Sequence, residues 1–327
     1  MHILICNKSP VPVFAYGGTE RVVWDLAKCL VDKGHQVSLL VPKGSHCPFA
    51  HVIELDDARP LTSQIPNHVD MVHFQFNPGL DFECSKPWLM TQHGNSDLNE
   101  LLPRNTVFVS QNHAVRHGAQ CHVHNGLDWR AYGPVDLGAK RHHFHFLGKA
   151  SWRVKNVQGA IDISKKAQVP LKVLGGTRLN IKRGFRLTLA RHVSFLGMVG
   201  GEIKLTALQQ SRGLIFPACW HEPFGLAVIE SLYFGCPVFC TPYGAFPEIV
   251  TADCGVLSNH EEALVESVKT QSFDLKACHA RSVDFFNADR MTDSYLSVYQ
   301  QVLDRDFLNQ NNPCMRESAV RLPWISG

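Results

Sequence analysis

The chain of 327 residues is longer than one hydrophobic core usually supports, so its length predicts two domains. Its hydrophobic content of 45% and charged content of 19% are those of an ordinary soluble protein, and a net charge of only +3 argues against a polyanionic partner such as nucleic acid. No apolar run approaches the roughly 20 residues that a membrane-spanning helix needs.

The beginning of the chain and its cysteines indicate a compartment. Residues 1–6 are apolar but too short for a signal peptide and lack a basic region, so we interpret them as part of a buried strand. The 11 cysteines are scattered without a Cys-x-x-Cys pair, which favours reduced thiols. We therefore expect a cytoplasmic protein. This prediction is compatible with contact between the protein and the inner face of the membrane.

The first half of the sequence alternates short apolar segments with helical spacing. Residues 2–6 predict a strand, and a loop over 7–17 leads to Gly17-Gly18. Apolar residues then recur at helical spacing until Gly34. Further strands are predicted over 37–41, 69–74, 88–92 and 106–110. Strands that alternate with helices imply a parallel sheet covered on both faces.

A second series of the same kind follows a linker around residues 125–142. Its strands are predicted over 143–147, 170–174, 192–196, 213–216 and 237–240, and its helices include 156–167 and 224–234. The predicted fold class is α/β, with two Rossmann-like, doubly wound parallel-sheet domains, 1–136 and 137–286, that face a cleft. Such sheets bind ligands at the carboxyl ends of their strands, so we expect the site in that cleft.

The strongest chemical signal lies in the second half, directly after an apolar strand. A loop carries Glu222, and a helix begins near Phe224-Gly225-Leu226. Backbone N–H groups at a helix start, with the helix dipole behind them, bind anions or sugar hydroxyls, and a glycine lets a ligand approach the backbone. Glu230 lies two turns into the helix, at a position we expect to be exposed. The two glutamates can therefore bind different parts of one extended ligand.

The residues around this helix make the signal specific. The run continues as Gly235-Cys236-Pro237-Val238 and then Gly244-Ala245-Phe246-Pro247-Glu248. With the two glutamates, these elements resemble the signature of the family-four retaining glycosyltransferases, which have the GT-B fold. The resemblance extends to Gly17-Gly18-Thr19, Asp70-Met71-Val72-His73, Thr91-Gln92-His93-Gly94, Asn125-Gly126-Leu127-Asp128 and Phe195-Leu196-Gly197-Met198-Val199.

The resemblance implies roles for individual residues. Glu222 would bind hydroxyls of the donor sugar, and the backbone N–H groups of Phe224, Gly225 and Leu226 would bind sugar hydroxyls or a phosphate. Glu230 would bind the ribose, and the backbone at Met198 would meet the base. His93 would face the donor sugar from the first domain, and Gly17 and Gly18 would let the first loop approach the phosphates.

The phosphate clamp departs from the family pattern. The family usually has Gly-Arg and then a lysine five residues beyond the arginine. Here Lys149 follows Gly148, and Lys155 comes six residues later. Lysine is a point charge, whereas arginine offers a planar, two-pronged donor. We take Lys149 and Lys155 as the diphosphate ligands. Arg153 remains an alternative that would supply the two-pronged donor of the family arginine.

The resemblance also predicts how the end of the chain is used. Residues 285–308 have helical spacing, with an apolar stripe too long for a tail that packs on nothing. We expect the helix, about 287–308, to cross back and complete the first domain, as it does in relatives. A polar tail over 309–327 follows and has no counterpart in the family pattern.

Together these features predict a retaining hexosyltransferase that works without a metal cofactor. Its donor would be a UDP- or GDP-linked sugar, and its acceptor a glycan, a lipid-linked glycan or a small molecule in glycoconjugate biosynthesis. Lys155, Lys149, Glu222 and His93 would form the catalytic set. Open alternatives are a nucleotide-sugar epimerase or a phosphorylase on the same fold, and a catalytically silent sugar-nucleotide binding protein. The sequence predicts no particular oligomeric state.

Overall fold

The computed structural model describes residues 1–12, 18–181, 185–317 and 321–326, which fall into two compact units. The first unit comprises residues 1–12, 18–128 and 286–317, and the second comprises residues 129–181, 185–285 and 321–326. Each unit contains its own six-stranded parallel sheet. The predicted α/β class with two doubly wound parallel sheets is therefore confirmed.

The first unit begins with a regular alternation of strands and helices. In chain order these elements are β1 (His2–Cys6), α1 (Gly18–Asp32), β2 (Gln36–Val41), β3 (His51–Glu54), β4 (Met71–Phe74), β5 (Trp88–Gln92), β6 (Thr106–Phe108) and α2 (Gln111–Arg116), with a 3-10 turn at Leu61–Gln64. The strand order is β3-β2-β1-β4-β5-β6, and every pair is parallel.

Burial explains why these segments form strands and helices. The four residues Ile3 to Cys6 of β1 are fully buried, as expected of a central parallel strand covered on both faces. In α1, residues Val22, Val23, Leu26, Ala27 and Leu30 make one buried face. The helix ends before Gly34, whose φ of +85° suits a left-handed cap.

The second unit repeats the same organisation. Its elements are β7 (His143–Leu147), α3 (Val157–Lys166), β8 (Leu171–Leu174), β9 (Leu179–Asn180), β10 (Arg186–Leu187), β11 (Val193–Gly197), α4 (Gly201–Gln209), β12 (Ser211–Phe216), α5 (Leu226–Tyr233), β13 (Val238–Cys240), α6 (Phe246–Ile249), β14 (Gly255–Leu257), α7 (Glu261–Thr270) and α8 (Leu275–Phe285), with 3-10 turns at Trp129–Tyr132 and Arg153–Lys155. The sheet order is β11-β8-β7-β12-β13-β14, and β9 pairs with β10 in a small antiparallel hairpin.

The strand order reverses between β7 and β12, which are parallel neighbours at the centre of the second sheet. Chain connections leave such a pair of strands in opposite directions, so a crevice opens at their carboxyl ends. The loops that follow β7 and β12 span residues 148–156 and 217–225. The fold therefore brings together the two segments that the sequence marks as chemically active.

The last helix, α9 (Ala288–Leu303), belongs to the first unit, where it packs against α1 and β5. The buried hydroxyls of Tyr295 and Tyr299 lie 2.8 Å from Thr91 Oγ1 and His73 Nδ1, respectively. His73 Nε2 and Thr91 Oγ1 are 2.7 Å apart, which completes a buried polar network. Burial lowers the pKa of His73 to about 3, so this histidine is neutral at physiological pH.

Three details of the structure differ from the predicted elements. The helix predicted over 285–308 is shorter in the structure, because α8 ends at Phe285, Asn287 caps α9 by accepting a hydrogen bond from the Arg290 backbone N–H at 2.7 Å, and α9 ends at Leu303. Strands β3 and β14 were not predicted, since each has only three or four residues and β3 begins and ends with an exposed polar residue. The hairpin of β9 and β10 was not predicted either.

Candidate functional site

The loops after β7 and β12 are joined by hydrogen bonds at the switch point of the second sheet. The Cys219 backbone N–H donates to Val154 O at 2.7 Å, and Asn156 Nδ2 donates to Pro217 O at 2.9 Å. Asn156 also caps α3, because its Oδ1 accepts from the Gly159 N–H at 3.1 Å. These contacts fix the 3-10 turn that carries Lys155 against the loop that carries Glu222.

Lys155 and Glu222 form an ion pair at this point. Lys155 Nζ lies 2.6 Å from Glu222 Oε2, and the two side chains are only 13% and 10% exposed. Trp220 Nε1 donates to the same oxygen at 2.7 Å. Lys155 Nζ also lies 4.9 Å from the centroid of a Trp220 ring, within the range of a cation–π contact. Two donors on one carboxylate oxygen leave Oε1 without a hydrogen bond from any residue that the structure describes.

The Gly244 segment supports the loop from the other side. The Ala245 backbone N–H donates to Glu222 O at 3.0 Å. A Cβ atom on Gly244 would lie 2.2 Å from Glu222 O and 2.3 Å from Glu222 N, so no larger residue fits without moving the loop. Gly244 also has a φ of +67°, which L-amino acids with side chains rarely adopt. The glycine at this point of the sequence signature therefore serves the placement of Glu222.

Helix α5 begins at the same end of the sheet. Gly225 precedes its first residue with a φ of +106°, and a Cβ there would lie 2.9 Å from Phe246 Cε1. The first N–H groups of a helix have no partner within the helix, and the helix dipole favours negative charge beside them. The N-terminus of α5, at Phe224, Gly225 and Leu226, therefore follows directly on the loop that holds Glu222.

The other predicted clamp residues lie in the loop after β7. Lys149 Nζ is 5.5 Å from the centroid of a Trp152 ring, and Trp152 meets Trp220 edge to face at 6.1 Å. Arg153 is exposed and opens the 3-10 turn that ends at Lys155. Of the three candidate cations, Lys155 is the one for which the structure shows an ion pair with Glu222.

Glu230 is buried, which corrects the expectation of an exposed position. Its Oε1 lies 2.5 Å from Lys204 Nζ on α4, and it also accepts a hydrogen bond from the hydroxyl of Tyr132. Helical position alone predicted exposure because it takes no account of α4 and of the turn Trp129–Tyr132. These elements cover α5 and supply a cation and a hydroxyl that offset the cost of burying the carboxylate.

The remaining predicted residues lie at separate points. Met198 is 44% exposed and follows β11, directly before α4. In the first unit, His93 follows β5, and its Nε2 lies 2.8 Å from Gln75 Oε1. Burial lowers the pKa of His93 to about 4, so it is neutral at physiological pH. Gly18 begins α1, and Gly17 lies outside the described residues.

Comparison with known proteins identifies the second unit. Residues 139–272 match the family described as Glycosyl transferases group 1. This segment of the second unit is therefore of the group 1 glycosyltransferase type. The matched segment contains Lys149, Arg153, Lys155, Met198, Glu222 and Glu230, and it also contains the unpredicted Trp220 and Lys204.

The chain is similar to two mannosyltransferases. It is 25% identical over 211 residues to O-antigen chain mannosyltransferase C of Escherichia coli, which covers 60% of this chain and 54% of that protein. It is 30% identical over 111 residues to a GDP-mannose-dependent alpha-(1-6)-phosphatidylinositol dimannoside mannosyltransferase of Mycobacterium tuberculosis, which covers 32% of this chain and 29% of that protein. The chain therefore matches about half or less of the length of these relatives.

A solved structure shows the fold. The crystal structure of a glycosyltransferase involved in avilamycin A biosynthesis superimposes with a TM-score of 0.74 at 18% identity, over 93% of this chain and 98% of that one. This likeness establishes the GT-B fold predicted from the sequence. Within the described residues, no helix is long and apolar enough to cross a membrane, and no three His, Cys, Asp or Glu side chains are grouped as metal ligands.

One contact of the second unit, made by the end of the chain, was not predicted. The Leu322 backbone N–H donates to Cys219 O at 2.7 Å, and the hydroxyl of Tyr243 donates to Pro323 O at 2.7 Å. The Ile325 backbone N–H donates to Asn259 O at 2.9 Å. The tail thus bonds to the same residue, Cys219, whose backbone N–H ties the Glu222 loop to the Lys155 turn.

Replacing Leu322 with proline tests this contact, because proline has no N–H to donate. A hydrogen bond of this kind contributes about 0.5–1.5 kcal/mol to stability, so we expect a lower melting temperature. If the bond also holds the Glu222 loop in place, kcat should fall as well, by at most about tenfold. The matched control is Leu322→Ala, which keeps the N–H and should stay close to the wild type. Equal kcat values for the two variants would mean that the tail does not support the Glu222 loop.

Proposed function

We propose that the chain is a retaining hexosyltransferase that moves a sugar from a nucleoside-diphosphate sugar to a hydroxyl of a glycan acceptor. The observation that carries the proposal is the Lys155–Glu222–Trp220 cluster beside the start of α5, at the switch point of the sheet. It combines a cation, a helix N-terminus and a carboxylate whose Oε1 accepts no hydrogen bond from the described residues. A sugar diphosphate needs these three groups, for its phosphate charge and for its sugar hydroxyls.

In this proposal Lys155 and the start of α5 bind the diphosphate, and Glu222 Oε1 accepts a hydrogen bond from a donor hydroxyl. The bond from the sugar C1 to the phosphate oxygen breaks, and a bond from C1 to the acceptor oxygen forms on the same face. The proton of the acceptor hydroxyl passes to the leaving phosphate oxygen. Negative charge grows on the phosphate as the first bond breaks, so a fixed cation binds the transition state more tightly than the substrate.

GDP-mannose is the donor we propose first. Two relatives are mannosyltransferases, and one is named as GDP-mannose-dependent. A UDP-sugar is the alternative. We propose that the second unit binds the donor and that the first binds the acceptor. If the acceptor is lipid-linked, as the name of the mycobacterial relative indicates for that protein, the enzyme works at the inner face of the membrane.

A panel of GDP- and UDP-linked sugars, incubated with mannose-terminated oligosaccharide acceptors, tests the proposal. We expect one donor to be consumed, with equal amounts of nucleoside diphosphate and of acceptor extended by one hexose, measured by mass spectrometry. An epimerase would convert the donor without any acceptor and without releasing nucleoside diphosphate. A silent binding protein would be thermally stabilised by a donor that it never consumes. Either result would reject transferase activity.

Chelation tests the proposed absence of a metal cofactor. Lys155 and the N-terminus of α5 supply positive charge for the diphosphate, so we expect the rate in excess EDTA to equal the rate in magnesium. The measurement is initial rate after dialysis against the chelator, with Mg²⁺ or Mn²⁺ added back to a parallel sample. Complete loss of turnover that either cation restores would contradict the proposal.

A further inference from the structure

Glu230 is held by two side chains to which the sequence signature gives no role. Lys204 Nζ lies 2.5 Å from Glu230 Oε1, the Tyr132 hydroxyl donates to the same oxygen, and the side chains of Lys204 and Glu230 are each only 7% exposed. Lys204 Nζ also lies 5.1 Å from the centroid of the Tyr132 ring. One carboxylate oxygen therefore receives a charged and a neutral donor from two different elements.

Tyr132 is itself fixed by an aromatic cluster of the second unit. The ring of Trp129 stacks on that of Tyr233 with centroids 4.4 Å apart and planes 7° apart. Tyr132 meets Trp129 at 5.1 Å and Tyr233 at 5.7 Å, both edge to face. The rings leave little room for the Tyr132 side chain to turn, so its hydroxyl is a fixed donor toward Glu230.

Stability alone is a poor reason for this arrangement. Two buried charges lose their hydration, and hydrophobic residues of similar size are often at least as stabilising. What the cluster does achieve is a single orientation of the Glu230 carboxylate, because two donors on Oε1 restrict rotation about the last bond of the side chain. A fixed carboxylate suits a ligand that presents two neighbouring hydroxyls, as the 2′ and 3′ hydroxyls of ribose do.

We propose that Tyr132 and Lys204 are positioning residues that orient Glu230 toward the ribose and thereby make the enzyme select ribonucleotides over 2′-deoxyribonucleotides. The inference rests on the proposed function, in which Glu230 binds the ribose of the donor. Tyr132 and Lys204 act through Glu230. Their removal therefore weakens the preference for the 2′ hydroxyl more than it weakens binding of the diphosphate.

The experiment compares two tyrosine-to-phenylalanine variants from one aromatic cluster. Tyr132→Phe removes the hydroxyl that donates to Glu230. The control Tyr233→Phe keeps the stacked ring and removes a hydroxyl that donates to Gly133 O at 2.6 Å and Trp129 O at 3.2 Å but not to Glu230. Dissociation constants are measured by calorimetry for GDP and 2′-deoxy-GDP, with UDP and 2′-deoxy-UDP in parallel. Melting temperature without ligand verifies that each variant is folded.

We expect the wild type and Tyr233→Phe to bind the ribonucleotide about tenfold more tightly than its deoxy analogue, the effect of one hydrogen bond to a charged group. In Tyr132→Phe this ratio should fall by about threefold or more. Lys204→Met should lower the ratio in the same way, which keeps the test valid if Tyr132→Phe does not fold. An unchanged ratio in the folded variants would overturn the inference.

Glu230→Gln distinguishes failure of the positioning role from failure of the proposed ribose binding by Glu230. If Glu230→Gln loses the preference while the Tyr132 and Lys204 variants keep it, Glu230 binds the ribose but the positioning role is wrong. If Glu230→Gln keeps the full preference, Glu230 does not bind the ribose, and the inference fails together with that part of the proposed function. Loss of the preference in all three variants, but not in Tyr233→Phe, supports both.

Discussion

Replacing Lys155 with methionine should lower kcat by about a hundred- to a thousandfold and change the Michaelis constant for the donor much less. Removing one preorganised donor that stabilises growing charge typically costs about 2.7–4 kcal/mol of transition-state stabilisation. Lys155 is well placed for such a role, since it is 13% exposed and held by Glu222 and the Trp220 ring. A cation that is already in place needs no reorganisation when the phosphate leaves.

The ion pair itself makes a control necessary. Without Lys155, the Glu222 carboxylate loses one of the two donors on Oε2, so part of the effect could arise from a displaced Glu222. Trp220→Phe removes the other donor and leaves Lys155 in place. It should therefore have a much smaller effect on kcat than Lys155→Met. Lys165→Met, at an exposed position near the end of α3, controls for the loss of a positive charge nearby.

One outcome would reassign the catalytic cation. If Lys155→Met keeps near-normal kcat while Arg153→Met abolishes turnover, the one-residue-longer loop has transferred the role to the arginine. Arg153 is exposed and lies in the same turn, so it is the natural competitor. Lys149→Met tests the supporting role of Lys149, and we expect its kcat to lie between those of the wild type and Lys155→Met.

Ending the chain after Arg290 should give aggregated protein, because it removes most of α9 from the first unit. Met291, Tyr295, Tyr299 and Val302 are all buried there. Deleting a single large buried side chain costs about 2–5 kcal/mol, and the stability of a whole domain is about 5–15 kcal/mol. The loss of these four side chains, together with the hydrogen bonds to His73 and Thr91, should cost more free energy than the stability of the first unit.

A chain that ends at Glu317 is the matched control for this deletion. It keeps α9 and the segment that bonds to the first unit, where the Asn309 side chain donates to the backbone carbonyls of Arg104 and Thr106. We expect this shorter chain to be soluble, with a melting transition close to that of the wild type. A soluble, fully active protein that ends at Arg290 would show that α9 is dispensable, which would contradict the packing described here.

The alternation of apolar segments and helical spacing was enough to predict the fold class and most central strands. Buried parallel strands such as β1 and β13 consist largely of continuous apolar residues, so the sequence marks them clearly. Edge strands such as β3 lack that pattern, because one side of an edge strand is not covered by another strand. The helix predicted over 285–308 extended beyond the end of α9 at Leu303, since Phe307 and Leu308 lie at helical spacing from Leu303.

The candidate site was predictable where it depends on the order of residues along the chain. Glu222, Gly225 and Gly244 belong to linked elements of one signature, and they lie together at the carboxyl ends of β12 and β13. Trp220 lies next to that signature, but a tryptophan at such a position can serve many purposes, so its presence alone predicts no role. Its bond to Glu222 depends on the side-chain direction, which spacing does not reveal.

Contacts between distant parts of the sequence could not be predicted in the same way. Lys204 and Tyr132 reach Glu230 from a separate helix and a separate turn, and a single lysine or tyrosine gives no pattern that points to its partner. The bond from Leu322 to Cys219 joins residues about a hundred positions apart. Such pairings follow from tertiary packing and needed the structure.

The configuration of the sugar in the first product tests the proposed transfer most directly. The wild-type protein is incubated in EDTA with GDP-α-mannose and a mannose-terminated acceptor. The new anomeric centre is then assigned by NMR from its one-bond carbon–proton coupling. We predict an α-mannoside, formed in step with the release of GDP, and the same retention with the UDP-sugar if that donor is the one consumed. A β-configured product, or a donor consumed without any new glycosidic bond, would contradict a retaining glycosyltransferase.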